Sequence, residues 1–470
     1  MGRMMTRLMQ RVEHLINSRN RIRLSILKVS GGDMLPNALY SGLVDLLGRD
    51  EQSRVEIIRK RWEGYYGKTL PVFKSKPGQI DDNIRLNYAR MIVDKGVSFL
   101  FGQEVGFEID EVKETQAEEW LSTVWEVNRK MTLLQQIALI GGVTGHAFVK
   151  IVQGEPYPRL IPLDSETVTV STAPDDLQTI MSYQISYTAR DPKTQKPIGV
   201  RQVIERDGQR WVILDQVGDL ERLVWTTVTE TIWPYEFSPV VDCQNLPAPG
   251  EFWGCSDLED DILEIIHAIN FIASNTARII RFHAHPKTWG RGFTSKDLRI
   301  GVDETIILPG EKSELHNLEM QSDLASSLAY LDRLRQVLHE ISRVPEVATG
   351  NLERAGGLSG VALQILYQPL LEKTETKRLL YGDMLVELNR RLLAIGRYGD
   401  NNRTVLHWPK LLPSDPMQER QTALIDQQLG VSRDTILQKL GYDPDLELQK
   451  NQVSSEQLGE NLLTAFDKGQ

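Results

Sequence analysis

Three helix-forming segments separated by two breaks, all between Ser256 and Gly396, constrain the fold of this chain more than any other feature. The first runs from Ser256 to about Phe282. It opens with Ser256 and, three residues on, Glu259, the pair of a capping box in which each side chain satisfies a backbone N–H that a helix start leaves unpaired. Asp257, Glu259, Asp260, Asp261 and Glu264 crowd its early turns, and Arg278 and Arg281 its last, the polarity that the helix dipole favours. The second, Ser322 to Arg343, sets Leu324, Leu328, Leu331, Leu334, Leu338 and Ile341 three and four residues apart, which makes one apolar stripe. The third, Ser359 to Ile395, would run ~55 Å unbroken at ~1.5 Å per residue. Pro369 inside it removes the donor to the Ile365 carbonyl and predicts a kink, and Gly396 is placed to stop it.

The breaks are equally informative. His283 to Gln321 holds Pro286, Gly290, Gly292, Gly301, Pro309 and Gly310 around a strand-like run, Glu304 to Leu308, and reads as a small compact module. Val344 to Leu358 holds Pro345, Gly350, Gly356 and Gly357 and reads as an ordered but bendable loop.

Upstream, Asn37 to Tyr66 reads as two helices parted by Gly48, and Asn83 to Phe101 as a helix that stops at Gly102. A strand, Glu104 to Ile109, and an amphipathic helix, Lys113 to Lys130, follow. Helix then continues over Met131 to Gly141 and breaks at Gly141-Gly142. From Gly145 to Val241 the period changes to two. Strands are predicted over His146–Val152, Arg159–Leu163, Thr167–Ser171, Met181–Tyr187, Val200–Arg206, Gln209–Leu214 and Leu223–Trp233, with Asp207-Gly208 as a type I′ hairpin turn. Downstream of Gly396, Thr404–Trp408 reads as a strand, followed by helices that open near Pro416, at a Ser432 cap and at Pro444. The fold class is α+β, mainly helical.

The chain has 470 residues and a formal charge of −10, which argues against gripping nucleic acid as its main task, since phosphate neutralisation needs a basic surface. It leaves room for a surface past which DNA slides. Met1 to Lys28 is basic and reads as a solvated terminal helix or partner-contacting arm, with a nucleic-acid or membrane arm as the alternative. No apolar run is long enough to span a bilayer, and the compact apolar stretch of a signal peptide is missing from the N-terminus. Cys243 and Cys255, the two cysteines, form neither a zinc pattern nor a disulfide framework and read as reduced thiols of an intracellular assembly.

Catalytic patterns are missing too. There is no phosphate loop and no HExxH. Gly290-Arg291-Gly292 has Ser295 where a dinucleotide fingerprint needs its third glycine, and Gly357-Leu358-Ser359-Gly360 has Val361 where a nucleophile elbow needs its second. His283 and His285 lack further ligands. Asp81-Asp82, Asp175-Asp176 and Asp260-Asp261 could suggest a carboxylate metal site for phosphodiester cleavage, but the first two pairs sit in turn-like contexts and the third in a helix's first turn, where acids are expected. No catalytic residue, metal or cofactor is assigned.

The run Asn87-Tyr-Ala-Arg-Met-Ile-Val93-Asp94-Lys-Gly-Val-Ser-Phe-Leu-Phe101-Gly102, with Val105-Gly-Phe107 after it, resembles the signature helix and strand of the portal proteins of tailed bacteriophages. The order helix, small module, helix, glycine-rich loop, long helix, helical C-terminal part is similar to their stem, clip, stem, tunnel loop, spine helix and crown. Ser432 to Gly441 is similar to their crown. The resemblance implies a basic arm (1–30), a wing (31–255, antiparallel β from about 145) and stem helices at 256–282 and 322–343. It further implies a clip (283–321), a tunnel loop (344–358), a spine helix (359–396) and a crown (397–470).

It also implies a ring of about twelve subunits at one capsid vertex, with no enzyme activity. Double-stranded DNA would be packaged through it by the terminase motor and ejected through it. Its partners would be the terminase large subunit, head-completion or adaptor proteins, and the major capsid and scaffolding proteins, with no membrane. Its place would be the virion, and the host cytoplasm during assembly. By position, Glu346, Gly350, Asn351, Glu353, Arg354, Gly356 and Gly357 would border the channel, with Arg278 and Arg281 as stem charge rings and Lys287, Trp289 and Arg291 as clip docking contacts. Two other readings stand beside this one: a metal-dependent DNA-packaging nuclease using the aspartate pairs, and a non-portal helical scaffold or adaptor.

Overall fold

A computed structural model describes residues 49–68, 73, 81–109, 116–190, 197–219, 224–284, 288–292, 312–317, 324–350, 360–399, 403–412 and 416–440, with positions 442, 444, 447, 448 and 450. The basic arm, the first helix of Asn37–Tyr66 and the strand-like run Glu304–Leu308 lie outside these residues.

Helix α1 (Arg49–Tyr65) is followed by an irregular run, residues 81–87, and by α2 (Tyr88–Phe101). The helix expected from Asn83 therefore starts later. Asn87 caps it, its side chain accepting the Arg90 N–H at 3.0 Å. The residues before it stay out of the helix because two side chains of a later helix take their amides: Ile84 N–H donates to Ser274 Oγ at 2.9 Å and Leu86 N–H to Asn270 Oδ1 at 2.8 Å. Such distant partners are invisible to local propensity.

Helices α3 (Gln116–Val127) and α4 (Lys130–Thr144) are parted at Arg129, whose φ is 54°. The expected break at Gly141-Gly142 does not occur: α4 runs through both glycines and ends before Gly145. These glycines provide room instead. A Cβ on Gly141 would collide with the Tyr381 hydroxyl, and one on Gly142 would lie 3.0 Å from the Asp257 carboxylate.

The region of period two forms two antiparallel sheets. Strands β2 (His146–Val152), β3 (Arg159–Leu163) and β9 (Val240–Gln244) pair in the order β3-β2-β9. A five-stranded meander holds β4 (Val168–Ala173), β5 (Asp176–Arg190), β6 (Pro197–Asp207), β7 (Arg210–Asp219) and β8 (Val224–Trp233) in sequence order. The β6–β7 turn is Gly208-Gln209, one residue later than expected, because Asp207 pairs with Arg210. Gly208 has φ 63° while Gln209 is not left-handed, the pattern of a type II′ turn, whose first position favours glycine. Strand β1 (Gly106–Ile109) pairs with β12 (Thr404–His407), joining two runs that the sequence leaves unconnected.

The central stretch gives α5 (Asp260–Ala284), β10 (Thr288–Arg291), β11 (Glu314–Asn317), α6 (Leu324–Ser342), a 3-10 turn (Glu346–Thr349) and α7 (Gly360–Ile395). Helix α7 is one helix of 36 residues, and Pro369 does not end it. Its stop is Schellman-like: Tyr398 N–H reaches the Leu393 carbonyl at 2.9 Å, and the left-handed residue is Arg397, not Gly396. Gly396 is needed for space, since a Cβ there would press on the Trp120 ring at 2.9 Å. Two short helices, α8 (Pro416–Gln428) and α9 (Arg433–Lys439), follow, and Ser432 Oγ caps α9 by accepting the Thr435 N–H at 3.3 Å.

Two apolar cores result. The larger joins the end of α2, α3, α4, both sheets and the C-terminal half of α7 (Tyr381, Leu385, Leu388, Leu392). The smaller joins α1, the start of α2, the first half of α5, Leu338 of α6, Val344 and Leu370 of α7.

Candidate functional site

The two helices of the central stretch each have one end in the smaller core and leave several apolar residues exposed along their length. Helices α5 and α6 pack together, and their far ends lead into the β10–β11 pair. Ser256 does what a capping box requires. Its N–H donates to Glu259 Oε1 at 2.7 Å, and its Oγ accepts the Leu258 N–H at 2.9 Å, one turn ahead of the regular helix. The same Oγ donates to the Gly142 and Val143 carbonyls (3.0 and 2.7 Å), which fixes the start of α5 to the end of α4.

The leucine stripe of α6 is used unevenly. Leu338 is fully buried, Leu331 and Leu334 pack against the smaller core, and Leu328 and Ile341 stay open. Tyr330 on α6 and Phe271 and Ile280 on α5 are exposed as well. This helix pair buries only part of its apolar surface within the chain.

The residues expected to matter fall into three places. Arg281 ion-pairs with Asp82 at 2.6 Å, while the exposed Arg278 lies over the Phe73 ring at 5.1 Å. Trp289 is 48% exposed and stacks on His316 across the β10–β11 ladder at 5.2 Å, and Arg291 pairs with Glu314 at 2.7 Å. Glu346 begins the 3-10 turn and pairs with Arg335 at 3.0 Å, and Gly350 ends that turn with φ 95°. Lys287, Asn351, Glu353, Arg354, Gly356 and Gly357 lie outside the described residues. Asp260 of the third carboxylate pair binds Lys60 at 2.8 Å, and Asp176 folds back on its own turn to Thr179 at 2.7 Å. Among the described residues no cluster of three metal-ligating side chains occurs, and no helix is long and apolar enough to cross a membrane.

One cluster escaped the sequence reading. Asp257, almost fully buried, holds Lys377 Nζ at 2.6 Å and Lys373 Nζ at 2.9 Å. Both lysines lie one turn apart on α7 and are themselves buried. Lys373 also donates to the carbonyl of Ser342, the last residue of α6, at 3.0 Å. Burial alone would raise the Asp257 pKa, but the two ammonium groups outweigh it and hold it down at about 2. Burial lowers that of Lys377, against the pull of Asp257. In sequence, Lys373 and Lys377 are indistinguishable from the solvated charges of any surface helix. Their one signal is the pair of glycines, Gly96 and Gly142, whose missing side chains leave space for the carboxylate.

Against known protein families, the chain matches phage portal protein, SPP1 Gp6-like, over residues 48–460, most of its length. The chain belongs to that family. No curated protein sequence matches it. Portal proteins are generally structural and not enzymes, and their place is the capsid vertex of the virion.

Proposed function

We propose that this chain is one subunit of a cyclic ring of about twelve copies that encloses a DNA channel at a single capsid vertex. Double-stranded DNA enters through the ring under the terminase motor and leaves through it on ejection. The ring also docks the terminase large subunit, then head-completion and tail proteins, and is set among scaffolding and major capsid subunits. The observation that carries this reading is the portal family match across residues 48–460. Leu328, Tyr330, Ile341 and Ile280 support it, being open apolar positions on the α5–α6 pair of the kind that a neighbouring subunit covers.

In this reading α5 and α6 are the stem, the β10–β11 pair belongs to the clip, residues 344–358 form the tunnel loop, α7 is the spine, and α8 and α9 lie in the crown. Twelvefold repetition of −10 gives −120, a field that keeps phosphates from sticking. Cationic rings temper it. Arg278 is the stronger candidate because Arg281 already faces Asp82. Trp289 and Arg291 offer the aromatic and guanidinium surface that docking partners favour.

Native mass spectrometry of the purified chain tests the ring. Twelve chains of 53.4 kDa give a species near ~640 kDa. A stable dimer with magnesium-dependent DNA cleavage would overturn the proposal. Deleting residues 350–357 should leave the ring intact and impair DNA packaging or retention, whereas failure to assemble would make the loop a structural element.

A further inference from the structure

The Asp257 cluster has an excess charge. Two buried ammonium groups face one buried carboxylate. Lys377 donates its hydrogen bond to Asp257 Oδ2, whereas Lys373, though within ion-pair distance of Oδ1, donates to the Ser342 carbonyl. That carbonyl is the C-terminal end of α6, where the helix dipole presents partial negative charge. The chain turns sharply there: Arg343 is left-handed with φ 57°, and Val344 packs into the smaller core while its carbonyl meets His339 Nδ1 at 2.7 Å. A buried ammonium without a partner is strongly unfavourable. The end of α6 is therefore the second partner of Lys373, beside the carboxylate it shares with Lys377, and α6 cannot slide along α7 without giving that contact up.

We infer that Lys373 is a positioning residue that clamps the end of α6, and with it the first residues of the following loop, onto α7. Lys377 instead anchors the start of α5 through Asp257. The two arms share one carboxylate, so the inner ends of both helices are registered against a single turn of α7. The inference deepens the reading of 344–358 as the channel loop and of α7 as the spine. The clamp itself is a statement about the subunit and is tested apart from the ring.

Hydrogen–deuterium exchange on the full-length chain separates the two arms. In Lys373→Met the carboxylate keeps one lysine, and the Ser342 carbonyl loses its donor. Amides of 343–350 should exchange about tenfold faster while those of 257–263 are unchanged. In Lys377→Met the rate over 343–350 should stay as in the parent chain. If the methionine variants do not fold, Lys373→Gln and Lys377→Gln carry the same comparison. Equal acceleration of both segments in both variants, no acceleration of 343–350 in the Lys373 variant, or loss of the folded state in both pairs would overturn the clamp and leave a purely structural charge cluster. Failure of the ring by mass spectrometry, with the selective exchange pattern intact, would sink the channel reading and not the clamp.

Discussion

The body around α7 and the α5–α6 pair handle apolar surface in opposite ways. In the body, Tyr381, Leu385, Leu388 and Leu392 are wrapped by two sheets and three helices, and Trp125 Nε1 donates to Asn389 Oδ1 at 2.8 Å among them. Along α5–α6, burial fades from Leu338 outward until Leu328, Tyr330 and Ile280 stand in the open. The same kind of residue is thus buried by its own chain in one region and left exposed in the other. A side chain's place on a stripe does not tell whether its own chain covers it.

Substitutions can break that comparison, and the largest effect belongs to the body. Leu388→Ala should cost about 2–5 kcal/mol in denaturant unfolding, because the wrapped site cannot collapse onto the gap. A loss as small as that of an exposed leucine would erase the contrast. At the junction of the two regions, acid should weaken the protein. Asp257 has a folded pKa of about 2 against an ordinary 3.8, so its contribution is complete above pH ~4 and is lost as pH falls toward 2. The amount is about 2 kcal/mol. Urea midpoints between pH 5 and pH 2 would show it, and the slope attributable to this group should vanish in Asp257→Asn.

Ser256→Ala removes the cap that ties α5 to α4 and should cost about 1 kcal/mol, read from thermal unfolding. The smallest effect on the subunit is expected from Leu328→Ala, within about 0.5 kcal/mol. If a neighbour covers this surface, the same change should still shift the ring-to-monomer ratio. A large loss of subunit stability with no change in assembly would reverse the assignment of the open surface.

Local chemistry carried the reading a long way. Alternation placed β2 and β3 at their observed ends, and the Ser256–Glu259 and Ser432 caps hold their amides as expected. Several of the departures share one cause, which is distant contact. Residues 83–87 are drawn out of helix by Ser274 and Asn270, and Gly141-Gly142 is helical because Tyr381 and Asp257 need its surface. The pairing of β1 with β12 and the gathering of Lys373 and Lys377 around Asp257 are also long-range, and no window along the sequence contains them. Arg281 and Glu346 could be singled out as charged residues at informative places, but their partners Asp82 and Arg335 belong to the folded chain alone.

The β1–β12 ladder bears on how the chain is made. His407 meets Glu108 across it at 2.7 Å, though 299 residues separate them. On the ribosome β1 must wait, unpaired, until β12 has been translated. Helix α7, whose second half fills the larger core, also arrives late. The body therefore closes only once α7 and β12 have been made, a long-range dependence of the kind that slows folding and exposes unpaired strands meanwhile. A chain that stops before α7 would carry α5 and α6 but lack the helix that fills the larger core, and so should not reach the folded state.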